Sequence, residues 1–148
     1  IHPEDVHTWD TSEDTTPAES AAKYAADIRE VSGVETGTPE FDLILLGMGD
    51  DGHTLSLFPG TQAMHYNDDI TLSLFVDKLN ADRVTFSPLL ANAAKKVVFL
   101  VGGAGKASML HTVLKGEIDI DQYPSQVIRP AGELIWLVDE AAAAELDA

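Results

Sequence analysis

The sequence predicts an α/β fold, a doubly wound and mainly parallel sheet flanked by helices, and three observations lead there. Two short apolar runs, Leu43 to Leu46 and Val97 to Val101, have the length of buried parallel strands. Each runs into a glycine turn, Gly47-Met48-Gly49-Asp50-Asp51-Gly52 and Gly102-Gly103-Ala104-Gly105, which neither a strand nor a helix tolerates in its interior. Segments with helical spacing alternate with these strands, the order that builds a parallel sheet.

Taken in order, residues 1–16 are rich in Asp, Thr and Pro and read as irregular structure. Pro17 suits a first helical turn, and Ala18 to Val31 follows as a helix with Ala21, Tyr24, Ala25 and Ile28 on one face. A loop over 33–39 leads to a strand over 41–47, the first glycine turn, and a short helical stretch over 53–58 that Pro59-Gly60 ends. Residues 61–70 read as a loop. Leu72 to Val76 and Arg83 to Ser87 are strand-like, with Asn80-Ala81-Asp82 as the turn between them. A short helix is expected over 88–94, a buried strand over 97–101, and a helix over 106–114 that Gly116 closes. Glu133 to Val138 is the last strand, and Asp139 can cap an alanine-rich helix over 140–146.

At 148 residues the chain has the length of one domain. It contains no cysteine, which excludes disulfides and thiolate metal sites. No apolar stretch approaches the roughly 20 residues of a membrane span, and a cytoplasmic location is expected. The net charge of −16, from 25 acidic and 9 basic residues, disfavours nucleic acid and anionic membranes as partners. It repels any anionic substrate at long range as well, so a phosphate site has to be a local basic pocket built from those nine cations. The chain opens on Ile1 rather than methionine, as a fragment or a processed product would.

The first glycine turn places polar side chains at the carboxyl edge of the sheet, where open α/β folds bind ligands. His53 ends that turn, two residues after Asp51. A neutral imidazole is a natural general base near neutral pH, and Asp51 can hold one ring nitrogen while the other takes a proton from water. The alternative is that Asp51 caps the following turn and His53 is a surface residue. Lys106 follows the second glycine turn at a helix start, where backbone N–H groups and an ammonium favour an anion. No Walker A pattern surrounds it. Arg83 and Arg129 are each either a pocket cation or an ordinary ion-pair partner. His2, His7, His65 and His111 show no metal-ligand spacing, Asp50 and Asp51 with His53 make a poor ligand set, and no metal is expected. Ser56 lacks the Gly-x-Ser-x-Gly elbow of serine hydrolases.

The run Leu46-Gly47-Met48-Gly49-Asp50-Asp51-Gly52-His53-Thr54-Leu55-Ser56-Leu57-Phe58-Pro59-Gly60 resembles the signature of the 6-phosphogluconolactonases almost position by position. The similarity continues through Arg83-Val84-Thr85, the Gly103 to Lys106 turn, Tyr123-Pro124 and Trp136-Leu137-Val138-Asp139-Glu140-Ala141-Ala142. The resemblance implies a Rossmann-like fold and hydrolysis of 6-phosphoglucono-δ-lactone to 6-phosphogluconate in the oxidative pentose phosphate pathway, with no metal or organic cofactor. It implies His53 as the general base and Asp51 as its orienting partner. Gly49, Gly52, Arg83, Lys106 and Arg129 are implied to bind the small sugar-phosphate lactone. Family members normally begin with a further segment carrying the first strands, a Ser-Gly-Gly loop and an Asp-Glu-Arg motif, none of which occurs here. Residues 1–148 are therefore expected to be a single unit, the C-terminal part of a lactonase-like domain missing its N-terminal strands. Glucosamine-6-phosphate isomerases/deaminases share the fold but carry a glutamate five residues after the histidine, where this chain has Phe58. Phenylalanine cannot move a proton. A sugar-phosphate-binding sensor domain is the remaining alternative, and it requires a DNA-binding partner segment.

Overall fold

The structure, a computed structural model, describes residues 1–146. Helix α1 (Pro17–Ser32) starts on a reciprocal cap. The Thr16 hydroxyl accepts from the Glu19 N–H at 3.3 Å, and the Glu19 carboxylate accepts the Thr16 N–H at 2.9 Å. Gly33 closes the helix in the left-handed conformation, φ +69°. The irregular N-terminal segment is pinned to this helix by a Lys23–Asp10 ion pair (2.8 Å) and a His7–Asp27 hydrogen bond (2.7 Å). Trp9 packs on Tyr24, ring centroids 4.3 Å apart, and Tyr24 stacks on Phe86. The inner face of α1, with Ala21, Ala25 and Ile28 buried, covers a two-stranded antiparallel sheet of β2 (Thr71–Val76) and β3 (Ala81–Phe86). A short 3-10 turn, Asp77–Leu79, joins these strands, and Asn80 in the left-handed conformation, φ +47°, completes the reversal. Ala81 and Asp82, expected in the turn, belong to β3.

The second sheet is parallel, with strand β1 (Ile44–Leu46) beside β4 (Lys96–Val101) and β4 beside β5 (Glu133–Val138). The register aligns Leu46, Phe99 and Trp136 across it, and the Phe99 and Trp136 rings stack 3.9 Å apart. Residues paired in register share a face. Ile44, Leu46, Val97, Phe99 and Val101 form the core face with Leu110 and Val113 of α3 (Ala107–Lys115) and Ala91 of α2 (Pro88–Ala93). On the opposite face Leu45, Leu100 and Leu137 are 60%, 51% and 55% exposed, while Val98 between them is buried. The parallel α/β character is as expected, but among the described residues the helices lie on one face only.

Two expected helices are not formed. Over 53–58 the chain folds back on itself in a Thr54–Leu57 antiparallel bridge, with Leu55 at φ +54°. Its polar groups are committed to distant partners: the Thr54 hydroxyl donates to Gly47 O at 2.8 Å, and the Ser56 N–H donates to the Thr85 hydroxyl. Residues 140–146 wind as turns. Asp139 accepts the Ala142 N–H at 2.7 Å, as a cap does, but its carboxylate also accepts the Gly103 N–H from the second glycine turn. Elsewhere the differences are at element ends and in short 3-10 turns, Gln62–His65 lying within the expected loop. β1 is three residues long, and α3 is preceded by a 3-10 turn, Ala104–Lys106.

Candidate active site

Strands β1 and β4 are parallel neighbours, so their carboxyl ends lie together and the two glycine turns that follow them sit side by side. Lys106 crosses between them and pairs with the carboxylate of Asp50. Asp51 points the other way. Its Oδ1 is 2.5 Å from His53 Nδ1 and also accepts the His53 N–H at 3.2 Å. The imidazole is held on one flat side by Phe58, ring centroids 4.2 Å apart. Gly49 lies close to the ring as well, where an added Cβ would fall 2.1 Å from Nδ1. His53 is 30% exposed and lines an open groove with Leu45, Leu46, Gly47, Met48, Gly49 and Leu55. A neutral imidazole whose Nδ1 carries the proton toward Asp51 presents Nε2 as its basic edge.

A residue that spacing did not single out joins this pair. Lys78, at the tip of the β2–β3 hairpin, donates to Asp51 Oδ2 at 2.5 Å. Burial by itself would raise the Asp51 carboxyl. The Lys78 ammonium, the His53 ring and the His53 backbone N–H outweigh it and hold the group well below the usual carboxylate range. The contact spans 27 positions of sequence, so no local pattern announces it.

Gly52, at φ +77°, faces the Sδ of Met109 and the backbone of Tyr123. Its carbonyl accepts both the N–H and the hydroxyl of Ser125, at 2.9 and 2.8 Å. These bonds anchor the turn to the segment that follows α3. Arg83 is not brought to the His53 turn. It lines a hollow with Asp10, Ser12 and Thr15 of the N-terminal segment and donates to Asp82 O at 3.1 Å. Arg129 is apart too: its Nε donates to Gln126 O at 3.0 Å, and its backbone N–H donates to Asn92 Oδ1. Of the expected site residues the structure therefore gathers Gly49, Asp51, Gly52, His53 and Lys106. Among the described residues no three His, Cys, Asp or Glu side chains converge as metal ligands, and no helix is long and apolar enough to cross a membrane.

The chain is similar in sequence and fold to known proteins. Residues 1–136 match the family described as glucosamine-6-phosphate isomerases/6-phosphogluconolactonase. A 6-phosphogluconolactonase of Nostoc sp. is 44% identical over 147 residues, which is 99% of this chain and 60% of that protein. Among solved structures, one described as the devB protein superposes with a TM-score of 0.80 at 34% identity, covering 90% of this chain and 56% of its own. The 6-phosphogluconolactonase of Thermotoga maritima gives a TM-score of 0.76 at 28% identity, covering 93% of this chain and 57% of that one. The chain thus spans a little over half the length of these relatives. The match over residues 1–136 and the shared α/β fold of the solved relatives agree: the chain belongs to the glucosamine-6-phosphate isomerase/6-phosphogluconolactonase family.

Proposed function

We infer that this chain carries the water-activating part of a 6-phosphogluconolactonase, acting on 6-phosphoglucono-δ-lactone in the oxidative pentose phosphate pathway. The observation that carries the reading is the 2.5 Å contact between Asp51 Oδ1 and His53 Nδ1 beside an open groove at the carboxyl edge of the sheet. The 44% identity to a relative bearing that name supports it. Neutral His53 takes a proton from water through Nε2 as the water oxygen bonds to the lactone carbonyl carbon. The tetrahedral oxyanion is stabilised by Lys106 and by backbone N–H groups of the glycine turns. When the bond from that carbon to the ring oxygen breaks, protonated His53 returns its proton to the departing oxygen. The product is the open-chain acid, which ionises. A lactone carbonyl is electrophilic enough for this route to need no further group.

Gly49 and Gly52 shape the pocket, and Lys106 meets the phosphate or the oxyanion. Arg83 and Arg129 contribute only if their side chains swing from the places described above. We assign residues 1–148 to the C-terminal part of one lactonase domain whose remaining strands cover the open leucine face. A cytoplasmic location and the exclusion of nucleic acid follow from the same reading and from the charge of −16. The test is hydrolysis of freshly prepared lactone by the full-length protein beside its His53→Ala variant, with the spontaneous rate subtracted. His53→Ala is expected to lower turnover by about 100-fold or more with the fold retained. Turnover at the spontaneous rate by the unsubstituted protein, with sugar phosphate still bound, would favour a sensor instead.

A further inference from the structure

The β2–β3 hairpin has no part in the chemistry above, yet its tip reaches the general base. The 3-10 turn Asp77–Leu79, closed by Asn80, projects Lys78 across to the first glycine turn. There the two oxygens of Asp51 are divided: Oδ2 takes the lysine ammonium and Oδ1 takes the imidazole, each at 2.5 Å. We propose that Lys78 is a positioning residue for the base, fixing one carboxylate oxygen so that the other is aimed at His53 and tempering the negative charge the imidazole feels. The assignment deepens the lactonase reading and rests on it.

The physical case is electrostatic and geometric. A lone carboxylate against an imidazole favours the imidazolium, which cannot act as a base. A cation on the far oxygen offsets that pull while leaving the hydrogen bond that orients the ring. Other charges near the ring are accounted for. The Asp50–Lys106 pair, from the turn and the start of α3, is internally neutralised. Phe58 stacks on the ring without charge, and Tyr123 lies behind Gly52. Lys78 is the cation in direct contact with Asp51. A surface lysine with no such part would be equally exposed, at 65%, so the distinction has to come from the ring.

The experiment follows two quantities in the full-length protein and its Lys78→Met, Lys78→Gln and Lys78→Arg variants. One is the pH dependence of kcat and KM for lactone hydrolysis, and the other is protonation of the His53 ring followed by NMR. Removal of a unit charge several ångströms from the ring in the neutral variants is expected to move ring protonation, and the acid limb of the rate profile, upward by roughly half to one pH unit. Loss of aim lowers kcat by roughly tenfold to a hundredfold at little change in KM. Lys78→Arg should restore both. Neutral variants with unchanged ring protonation and kcat overturn the proposal, as does a rise in KM alone, which would make Lys78 a substrate contact. A protein without turnover whose His53 ring still answers to Lys78 refutes the lactonase reading and supports the linkage, so the two failures are distinguishable.

Discussion

Gly49 is the position where one methyl group decides the site. An added Cβ would lie 2.1 Å from His53 Nδ1, 2.3 Å from Cε1 and 2.7 Å from Asp51 Oδ1. The requirement is space, because this glycine does not take a left-handed φ. Its N–H donates to His53 O at 2.8 Å, so the turn closes on itself around the ring. Phe58 stacks on the same ring, so a methyl group at Gly49 has to displace the imidazole from its contact with Asp51. Gly49→Ala is therefore expected to lower kcat by about 100-fold. The melting temperature should change far less than for a core substitution, because the displaced ring is partly solvent-exposed. Steady-state kinetics beside a thermal melt checks this, and an unchanged kcat would mean that the ring has a second productive position. This part of the site was legible in the sequence because Gly49, Asp51, Gly52 and His53 lie within one turn. Lys78 was not, since its contact depends on a hairpin folding back over 27 positions. Arg83 and Arg129 lay on matching motifs but are held elsewhere, by Asp82 O and by Gln126 O.

Elements with signals inside their own segment were the readable ones. Pro17 and Gly33 bracket α1, Ser87 and Pro88 open α2, and alternation with a polar turn marks the β2–β3 hairpin. The stretches 53–58 and 140–146 carry helix-compatible residues, but tertiary hydrogen bonds to Gly47, Thr85 and Gly103 claim the groups involved. Such competition cannot be seen along a single segment. The cap of α1 shows how much one local signal contributes. The Thr16 hydroxyl accepts the Glu19 N–H while the Glu19 carboxylate accepts the Thr16 N–H. Thr16→Ala leaves the first-turn N–H to water and removes one arm of the box. It is expected to cost about 1 kcal/mol, a fall in melting temperature of roughly 2–4 °C for a chain of this size. Thr16→Ser should recover most of it. A melt that does not move would show that α1 is held by its packing on the hairpin alone.

At the scale of the whole molecule, the two sides of the parallel sheet differ. One is sealed by α2, α3 and the folded-back 53–58 segment. The other presents Leu45, Leu100 and Leu137 on three adjacent strands, with Leu43 just before β1. Leu100 and Leu137 are register partners, and Leu45 follows diagonally, beside Val98 on the same face. Contiguous apolar surface of that kind marks a contact surface, and the chain spans only 60% of its Nostoc relative. The strands we assign to the rest of the domain are the occupant that the reading requires. Under that assignment each leucine is buried in the full-length protein and contributes about 1.5–3 kcal/mol there. The triple variant Leu45→Gln, Leu100→Gln, Leu137→Gln in the full-length protein is then expected to lose several kcal/mol of stability. It should also lose lactonase activity with the fold; Leu45 lines the His53 groove as well, so the double variant Leu100→Gln, Leu137→Gln separates unfolding from chemistry. Chemical denaturation of the variant beside the unsubstituted protein measures the difference. A loss below about 1 kcal/mol, as ordinary surface substitutions give, would mean that the face stays open in the complete protein. The assignment of residues 1–148 as part of one larger domain would then fail, while the Asp51–His53 contact would stand.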